Sequence, residues 1–155
     1  MVPAGNTATS NRADLMMTRE DLESYLIRME LDFEEIEECL WVIKSDSEGA
    51  SVVVNYTPPL VLLRMKVMTL PDSSGDEVRL VRFYRRLLEL NATDIVHGSY
   101  GIEAEEVVLS DAMELETLDF SELRSSYESL TLAASSHMSE LVGMIDSGAP
   151  LAQQG

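Results

Sequence analysis

The sequence has a single cysteine, Cys39, in 155 residues. One thiol cannot form a disulfide within the chain, and neither a CxxC redox motif nor a cysteine zinc site can be built from it. A chain without disulfides is typical of a reducing compartment, so we expect a cytoplasmic protein. Because Cys39 precedes an apolar run, we expect it to be a small residue of the core rather than a reactive thiol.

Long apolar segments are also missing. The longest one, around Pro58 to Leu63, is far shorter than the roughly 20 residues that span a bilayer. Residues 1–15 have neither a basic start nor an apolar run, so they do not resemble a secretory signal. We therefore expect no membrane insertion and no export.

Basic residues are scarce, with 11 Lys and Arg against 28 Asp and Glu and a net charge of −17. Such a surface repels the phosphates of nucleic acids and the anionic headgroups of membranes. We therefore expect no nucleic-acid partner. Two explanations of the acidity remain open: it only keeps the protein soluble, or it favours a basic or apolar protein partner.

No group of residues forms a recognisable catalytic or cofactor motif. The two histidines, His97 and His137, lie in different predicted elements, and neither belongs to a known serine, cysteine or aspartate motif. We expect His97 to be structural at the entrance of a strand and His137 to be solvated on the polar side of the last helix. Neither the GxGxxG pattern nor the P-loop pattern occurs. The sequence thus predicts no catalytic residue and no cofactor.

The acidic run from Glu34 to Glu38 is the densest group of carboxylates. It lacks the fixed ligand offsets and the sixth-position glycine of an EF-hand loop, so we expect no metal site. Two interpretations remain open, namely the solvated face of a helix or an attraction for a basic client.

Hydrophobic spacing predicts one domain, 16–146, between two flexible tails, 1–15 and 147–155. Three segments have helical spacing, at 18–29, 78–91 and 119–145. Alternating or β-branched runs predict strands at 40–43, 51–56, 60–68, 97–103, 106–110 and 112–117. Most links between strands are too short for a parallel crossover. The predicted fold class is therefore α+β: an antiparallel sheet of five or six strands with three helices, in the order α-β-β-β-α-β-β(-β)-α.

The middle of this acidic chain is locally basic. Six of the eleven cations fall between positions 64 and 86: Arg64, Lys66, Arg79, Arg82, Arg85 and Arg86. Internal ion pairs with the surplus carboxylates would explain them, and so would a contact with a dimer mate or a client. The strand at 60–68 also has a second face that is half apolar, which fits either a buried central strand or a partner groove. The candidate partner or dimer surface comprises Leu60, Leu62, Arg64, Lys66, Arg82, Arg85, Leu87 and Leu88.

Several short segments resemble a known family. They are the Leu-Leu-Glu-Leu-Asn run at 87–91, the Ser-Tyr-Gly-Ile-Glu run at 99–103, the strand at 107–109, and the leucines at 115 and 118 that lead into the last helix. Over about residues 18–145 the arrangement resembles the YbjN family and the class I type III secretion chaperones. The resemblance implies an α+β fold and a cytoplasmic, usually dimeric protein that binds partly unfolded clients without hydrolysing nucleotides. It implies no catalytic residue.

Three functions follow as hypotheses. The first is a chaperone-like or adaptor protein, homodimeric through helix two and a neighbouring strand, that holds a client segment on an apolar face. The second is a regulator of transcription that acts through the basic segment. The third is a small enzyme with a carboxylate pair, such as Glu103 with Glu105 or Glu106.

Overall fold

The computed structural model describes residues 16–45, 50–71 and 75–145, so both predicted tails lie outside the described residues. Within these ranges the chain forms three helices and six strands. The helices are α1 (Arg19–Arg28), α2 (Glu77–Thr93) and α3 (Phe120–Ile145). The strands are β1 (Phe33–Glu37), β2 (Leu40–Ile43), β3 (Val52–Thr57), β4 (Leu60–Thr69), β5 (Ser99–Glu103) and β6 (Glu106–Glu114).

The six strands form one sheet in the order β1-β2-β3-β4-β6-β5. Every neighbouring pair is antiparallel. The predicted α+β class, the antiparallel sheet and the three helices are confirmed. The observed order, α-β-β-β-β-α-β-β-α, has one strand more in the first group than the sequence predicts.

The additional strand is β1, which includes most of the acidic run. The interpretation of this run as a helical face was wrong, because β1 pairs with β2 from Phe33 opposite Ile43 onward. β1 is an edge strand, and its glutamates are exposed to solvent. Their charges therefore stay hydrated, and the strand pays little desolvation energy for them. Cys39 was also misplaced: it is half-buried in the turn after β1, with a φ of 65°, and its N–H donates to Glu35.

The predicted turn at Asp111, with a separate strand after it, was wrong as well. β6 runs without a break from Glu106 to Glu114 and pairs with β4 along its length. Asp111 is tolerated inside this strand because its carboxylate accepts a hydrogen bond from the Ser126 hydroxyl of α3, at 2.6 Å. A turn-forming side chain therefore has its polar group satisfied by a distant helix.

Helix α1 begins as the sequence predicts. Thr18 is its N-cap and forms a capping box with Asp21, so two backbone N–H groups at the helix start are satisfied. Helix α2 continues beyond its predicted end at Asn91 and is capped by Asp94. Asn91 pairs instead with the backbone of Tyr100 in β5, through bonds of 2.6 and 3.1 Å. This amide fixes the C-terminal end of α2 against the edge of the sheet.

The core lies between the helices and one face of the sheet. Alternate residues of β3 and β4 are buried there, and leucines of all three helices pack with them. The intervening residues of the same strands are half-buried or exposed, and they form the other face. Among the described residues, the helices therefore cover one side of the sheet and leave the opposite side open.

Candidate protein-binding surfaces

Helix α2 has apolar residues on both of its sides. Phe83, Leu87 and Leu90 face the core and are buried. On the opposite side Val78, Val81 and Leu88 are 64%, 63% and 68% exposed. With Arg85 and Ala92, which share their helical spacing, these residues form a row that we call the α2 stripe: Val78, Val81, Arg85, Leu88 and Ala92. A helix that only packs on its own core has polar residues on its outer side, so this stripe indicates a contact surface.

The structure separates two adjacent leucines of the predicted partner surface. Leu88 lies on the α2 stripe, whereas Leu87 is buried in the core of the protomer. Neighbouring residues of a helix point about 100° apart, so the two cannot share a surface. Leu87 is therefore removed from the candidate surface, because its side chain packs against the protein itself.

Most of the basic cluster is neutralised within the chain. Five of its six cations have a carboxylate partner: Arg64 with Glu103, Lys66 with Glu106, Arg79 with Asp76, Arg85 with Glu89, and Arg86 with Glu89 and Glu140. Of the two explanations of the cluster, internal pairing holds for these five. Arg82 is exposed and has no ion pair with any described residue. Among the described residues, it is the one member of the six without an ion-pair partner.

The uncovered side of the sheet, which we call the open face, carries rows of aligned side chains. The register places Val42, Val53, Arg64, Ser110 and Ser99 in one row across five strands. The next row is Leu40, Asn55, Leu62 and Ala112, and Leu60 follows beside the β3–β4 turn. Leu60 and Leu62 are only half-buried. The sequence left open whether they belong to a buried central strand, and the structure places them on a surface.

Part of the open face is a shallow groove of about 580 Å³ at β4, β5 and β6. Leu62, Ala112 and the ion pair between Arg64 and Glu103 line it. Glu103 faces Glu106 in the β5–β6 ladder, and each of these two carboxylates is ion-paired to a cation of β4. The acidic pair that the enzyme hypothesis invoked is thus engaged in ion pairs. The lining of the groove combines aliphatic side chains with polar and ionised ones.

His137 is not a solvated residue, contrary to the expectation. It is 7% exposed, between Tyr100 of β5 and the α2 cap Asp94. Its Nε2 is 3.2 Å from an Asp94 oxygen, and its Nδ1 is 2.9 Å from the Tyr100 hydroxyl. The spacing of His137 from Leu130 and Leu141 is that of a buried helical face, and this was the signal in the sequence.

The charge state of Asp94 and Tyr100 decides which atoms donate in their hydrogen bonds with His137. Hydrogen bonds from Thr93 and then His137 lower the pKa of Asp94, so its carboxylate is an ionised acceptor. The tautomer that donates from Nε2 to Asp94 leaves Nδ1 as the acceptor of the Tyr100 hydroxyl. Burial raises the pKa of Tyr100 to about 12, which keeps the phenol a donor. The hydrogen bonds of Tyr100, His137 and Asp94 thus join α2, β5 and α3.

The other histidine, His97, lies in the loop before β5. The Ser129 hydroxyl of α3 bonds both its N–H and its carbonyl group, at 3.1 Å each. Across residues 16–45, 50–71 and 75–145, no three His, Cys, Asp or Glu side chains lie close enough together to hold a metal ion. Among the described helices, none has the length and apolarity that a bilayer crossing requires.

Comparisons with solved structures identify the fold. One chain of the heterodimeric ExoU–SpcU complex, from the type III secretion system of Pseudomonas aeruginosa, superposes with a TM-score of 0.59 at 16% identity, over 81% of this chain and 98% of that one. YbjN from E. coli gives a TM-score of 0.56 at 9% identity, over 79% and 92%. The Yersinia pestis type III secretion chaperone SycH, in complex with a fragment of YscM2, gives 0.53 at 15% identity, over 77% and 98%.

Sequence comparison identifies the family. No curated protein sequence matches the chain. The family model CesT_Tir_1, however, matches residues 16–147, which include every described element from α1 to α3. The resemblance that the short segments indicated is thus confirmed over the whole domain. The chain belongs to the CesT_Tir_1 family of type III secretion chaperones.

Proposed function

We propose that this protein is a cytoplasmic, homodimeric chaperone that holds an extended or amphipathic segment of a client protein and performs no chemistry on it. The observation that carries the proposal is that two surfaces with apolar side chains, the α2 stripe and the open face, are left uncovered by the described residues. A monomer that worked alone would have no reason to expose both. The neighbours solved as complexes, ExoU–SpcU and SycH–YscM2, support a protein partner.

We assign the two surfaces to two different partners. The α2 stripe, flanked by Arg82, suits a helix of a second copy, because its apolar residues follow helical spacing. The open face suits an extended client, because Leu60 and Leu62 with the paired cations Arg64 and Lys66 present an apolar strip bordered by charge. Charge then guides the encounter, and apolar burial supplies most of the affinity.

The dimer contact is tested by Leu88→Asp. We expect the wild-type protein to have about twice the 17.2 kDa chain mass at micromolar concentration. The variant should be a folded monomer, because an apolar anchor is lost and a carboxylate would be buried without a partner, which together weaken the contact by roughly a hundredfold. Light scattering on the size-separated protein measures both masses.

A matched control for this variant is Ile27→Asp on α1. Ile27 is 62% exposed, close to the 68% of Leu88, and lies outside the α2 stripe. The Ile27→Asp variant should remain dimeric. A wild-type monomer, or a Leu88→Asp variant that is still a dimer, would exclude α2 as the dimer contact.

The client surface is tested with peptides selected on the wild-type protein from a random display library. Leu62→Thr and Val53→Thr should each weaken the binding of a selected peptide about tenfold, because each removes apolar area from the open face and leaves a β-branched threonine, which suits a strand. Val78→Thr on the α2 stripe should leave the affinity unchanged. Fluorescence anisotropy of the labelled peptide gives the three affinities. Equal binding to all variants would remove the open face as the client site.

A further inference from the structure

We infer that a groove between α3 and the loop 94–98, which joins α2 to β5, binds a segment of another protein in which a lysine or arginine stands next to an aliphatic residue. The groove, which we call the α3 groove, has a volume of about 550 Å³. It lies on the side of the sheet that the helices cover, whereas the open face lies on the other side. The site is therefore additional to the proposed dimer and client surfaces and does not depend on them.

The two elements that form the α3 groove are fastened to each other. The lining residues of α3 lie between positions 125 and 137 at intervals of three and four, so they share one face of the helix. The Ser129 hydroxyl of this face bonds both the N–H and the carbonyl group of His97, at 3.1 Å each. His137 Nε2 is 3.2 Å from an Asp94 oxygen. Because the loop is held at these two points, a partner meets a groove that is already formed and need not order it.

Each wall of the α3 groove contributes one exposed aliphatic side chain. Val96 comes from the loop and is 82% exposed, and Leu132 comes from α3 and is 67% exposed. Neither belongs to the α2 stripe or to the open face. A single exposed aliphatic residue is ordinary on a protein surface, but two that line one groove offer a place where an aliphatic side chain of a partner can be buried.

The charges of the α3 groove select a basic partner. Asp94 and Glu128 line it, and among the described residues no lysine or arginine does. The Asp94 side chain is 48% exposed, and the ion pair that the structure gives it is with His137. Glu128 accepts from Arg124 Nε at 2.8 Å through one of its oxygens, Oε1. A carboxylate has about four lone-pair positions, so each of the two can accept a further cation.

The same charges disfavour the other occupants of such a groove. A second copy of this chain has a net charge of −17 and would bring a surplus of carboxylates to the two that line the groove. Nucleic-acid phosphates and anionic lipid headgroups would be repelled for the same reason. A basic segment with an aliphatic residue gains from both the charge and the exposed apolar area.

Titration of the ¹⁵N-labelled protein with the synthetic peptide Gly-Ser-Arg-Leu-Leu-Arg-Ser-Gly tests the inference. The NMR signals of the Val96 and Leu132 amides should move, and their movement with peptide concentration gives the Kd. Leu132→Gln should raise this Kd about tenfold, because an exposed aliphatic contact is replaced by a polar side chain that suits the helix. Glu128→Gln should raise it about threefold, since one solvent-exposed charge is lost without a change of shape.

Two variants and one peptide are the matched controls. Ile27→Gln removes an aliphatic residue of α1 that is 62% exposed, close to the 67% of Leu132. Glu38→Gln removes an exposed carboxylate in the turn after β1, at the opposite edge of the sheet from β5. Both should keep the wild-type Kd. The peptide Gly-Ser-Gln-Leu-Leu-Gln-Ser-Gly should bind the wild-type protein at least about fivefold more weakly, because it lacks the cations.

An unchanged Kd for Leu132→Gln, or equal binding of the arginine and glutamine peptides, would overturn the inference. If the signals of Val53 and Leu62 moved in place of those of Val96 and Leu132, the peptide would lie on the open face, which would overturn it as well. Light scattering tests for a second copy: a lower mass for Leu132→Gln than for the wild type would show that the groove joins two copies and not a basic partner. If Leu132→Gln does not fold by circular dichroism, Val96→Thr supplies the same comparison on the loop.

Discussion

Replacing Gly98 by alanine should destabilise the protein by about 2–5 kcal/mol. Gly98 has a φ of +84°, which costs an L-residue about 1–2 kcal/mol. A Cβ atom there would lie 2.7 Å from Leu130 Cδ2 and 2.7 Å from the Ser110 carbonyl oxygen. The leucine end can move, but the carbonyl belongs to the central strand β6, so the loop before β5 must shift, at a further cost of about 1–3 kcal/mol. Urea unfolding followed by circular dichroism measures the loss.

Two other glycines provide controls at the same protein concentration. In Gly101→Ala the nearest atom would be Val108 Cγ2 at 3.9 Å, an ordinary contact, so stability should change little. Gly143 lies on the exposed side of α3 with no atom within 4 Å, and alanine there should add up to about 1 kcal/mol. If Gly98→Ala were as stable as Gly101→Ala, the close approach of the β5 loop to β6 would be refuted.

Alkaline pH should destabilise the wild-type protein more than the Tyr100→Phe variant. The pKa of Tyr100 is raised by burial to about 12, from the ordinary tyrosine value of 10.0. Because the folded-state pKa is the higher one, its contribution to stability is fully present below pH 10 and is lost as the pH rises through 12. By linkage the loss is about 1 kcal/mol at pH 11. Urea unfolding of both proteins at pH 8, 9, 10 and 11 gives the difference in slope.

The decisive quantity in this comparison is the change of the free energy of unfolding with pH, and not its value at a single pH. Phenylalanine leaves His137 Nδ1 without its donor, which costs about 1–3 kcal/mol at every pH. Tyr84→Phe, which removes a tyrosine hydroxyl from the surface of α2, is the matched control. Parallel profiles for the wild type and Tyr100→Phe would show that the buried phenol does not control alkaline stability.

The elements that could be predicted from the sequence are those whose own residues show helical or alternating apolar spacing, together with capping or turn residues. Helix α1 combines a capping box with buried leucines at helical spacing, and β3 and β4 alternate with a hairpin turn between them. β1 could not be found in this way, since four of its five residues are exposed and three are glutamates. An edge strand is defined by its neighbour, and the neighbour is not visible in local composition.

The exposure of individual residues was harder to predict, because it depends on distant parts of the chain and not on the local sequence. Hydrophobicity marks Leu87 and Leu88 equally, and only the position of the sheet decides which of them is buried. Asp111 and His137 are polar residues inside the fold because Ser126, Tyr100 and Asp94 reach them from distant parts of the chain. The sequence could indicate that α2 and β4 carry a surface, but not which side of each is free.

The acidic strand β1 has a further consequence for a molecule with an open apolar face. A free strand edge is a template on which another chain can add strands without limit and form aggregates. β1 is only five residues long, its register shifts between Glu35 and Glu37, and exposed glutamates line it. Each of these features hinders edge-to-edge stacking of like chains. The β1 edge of the sheet thus resists the addition of further strands, although apolar side chains elsewhere on the protein are exposed.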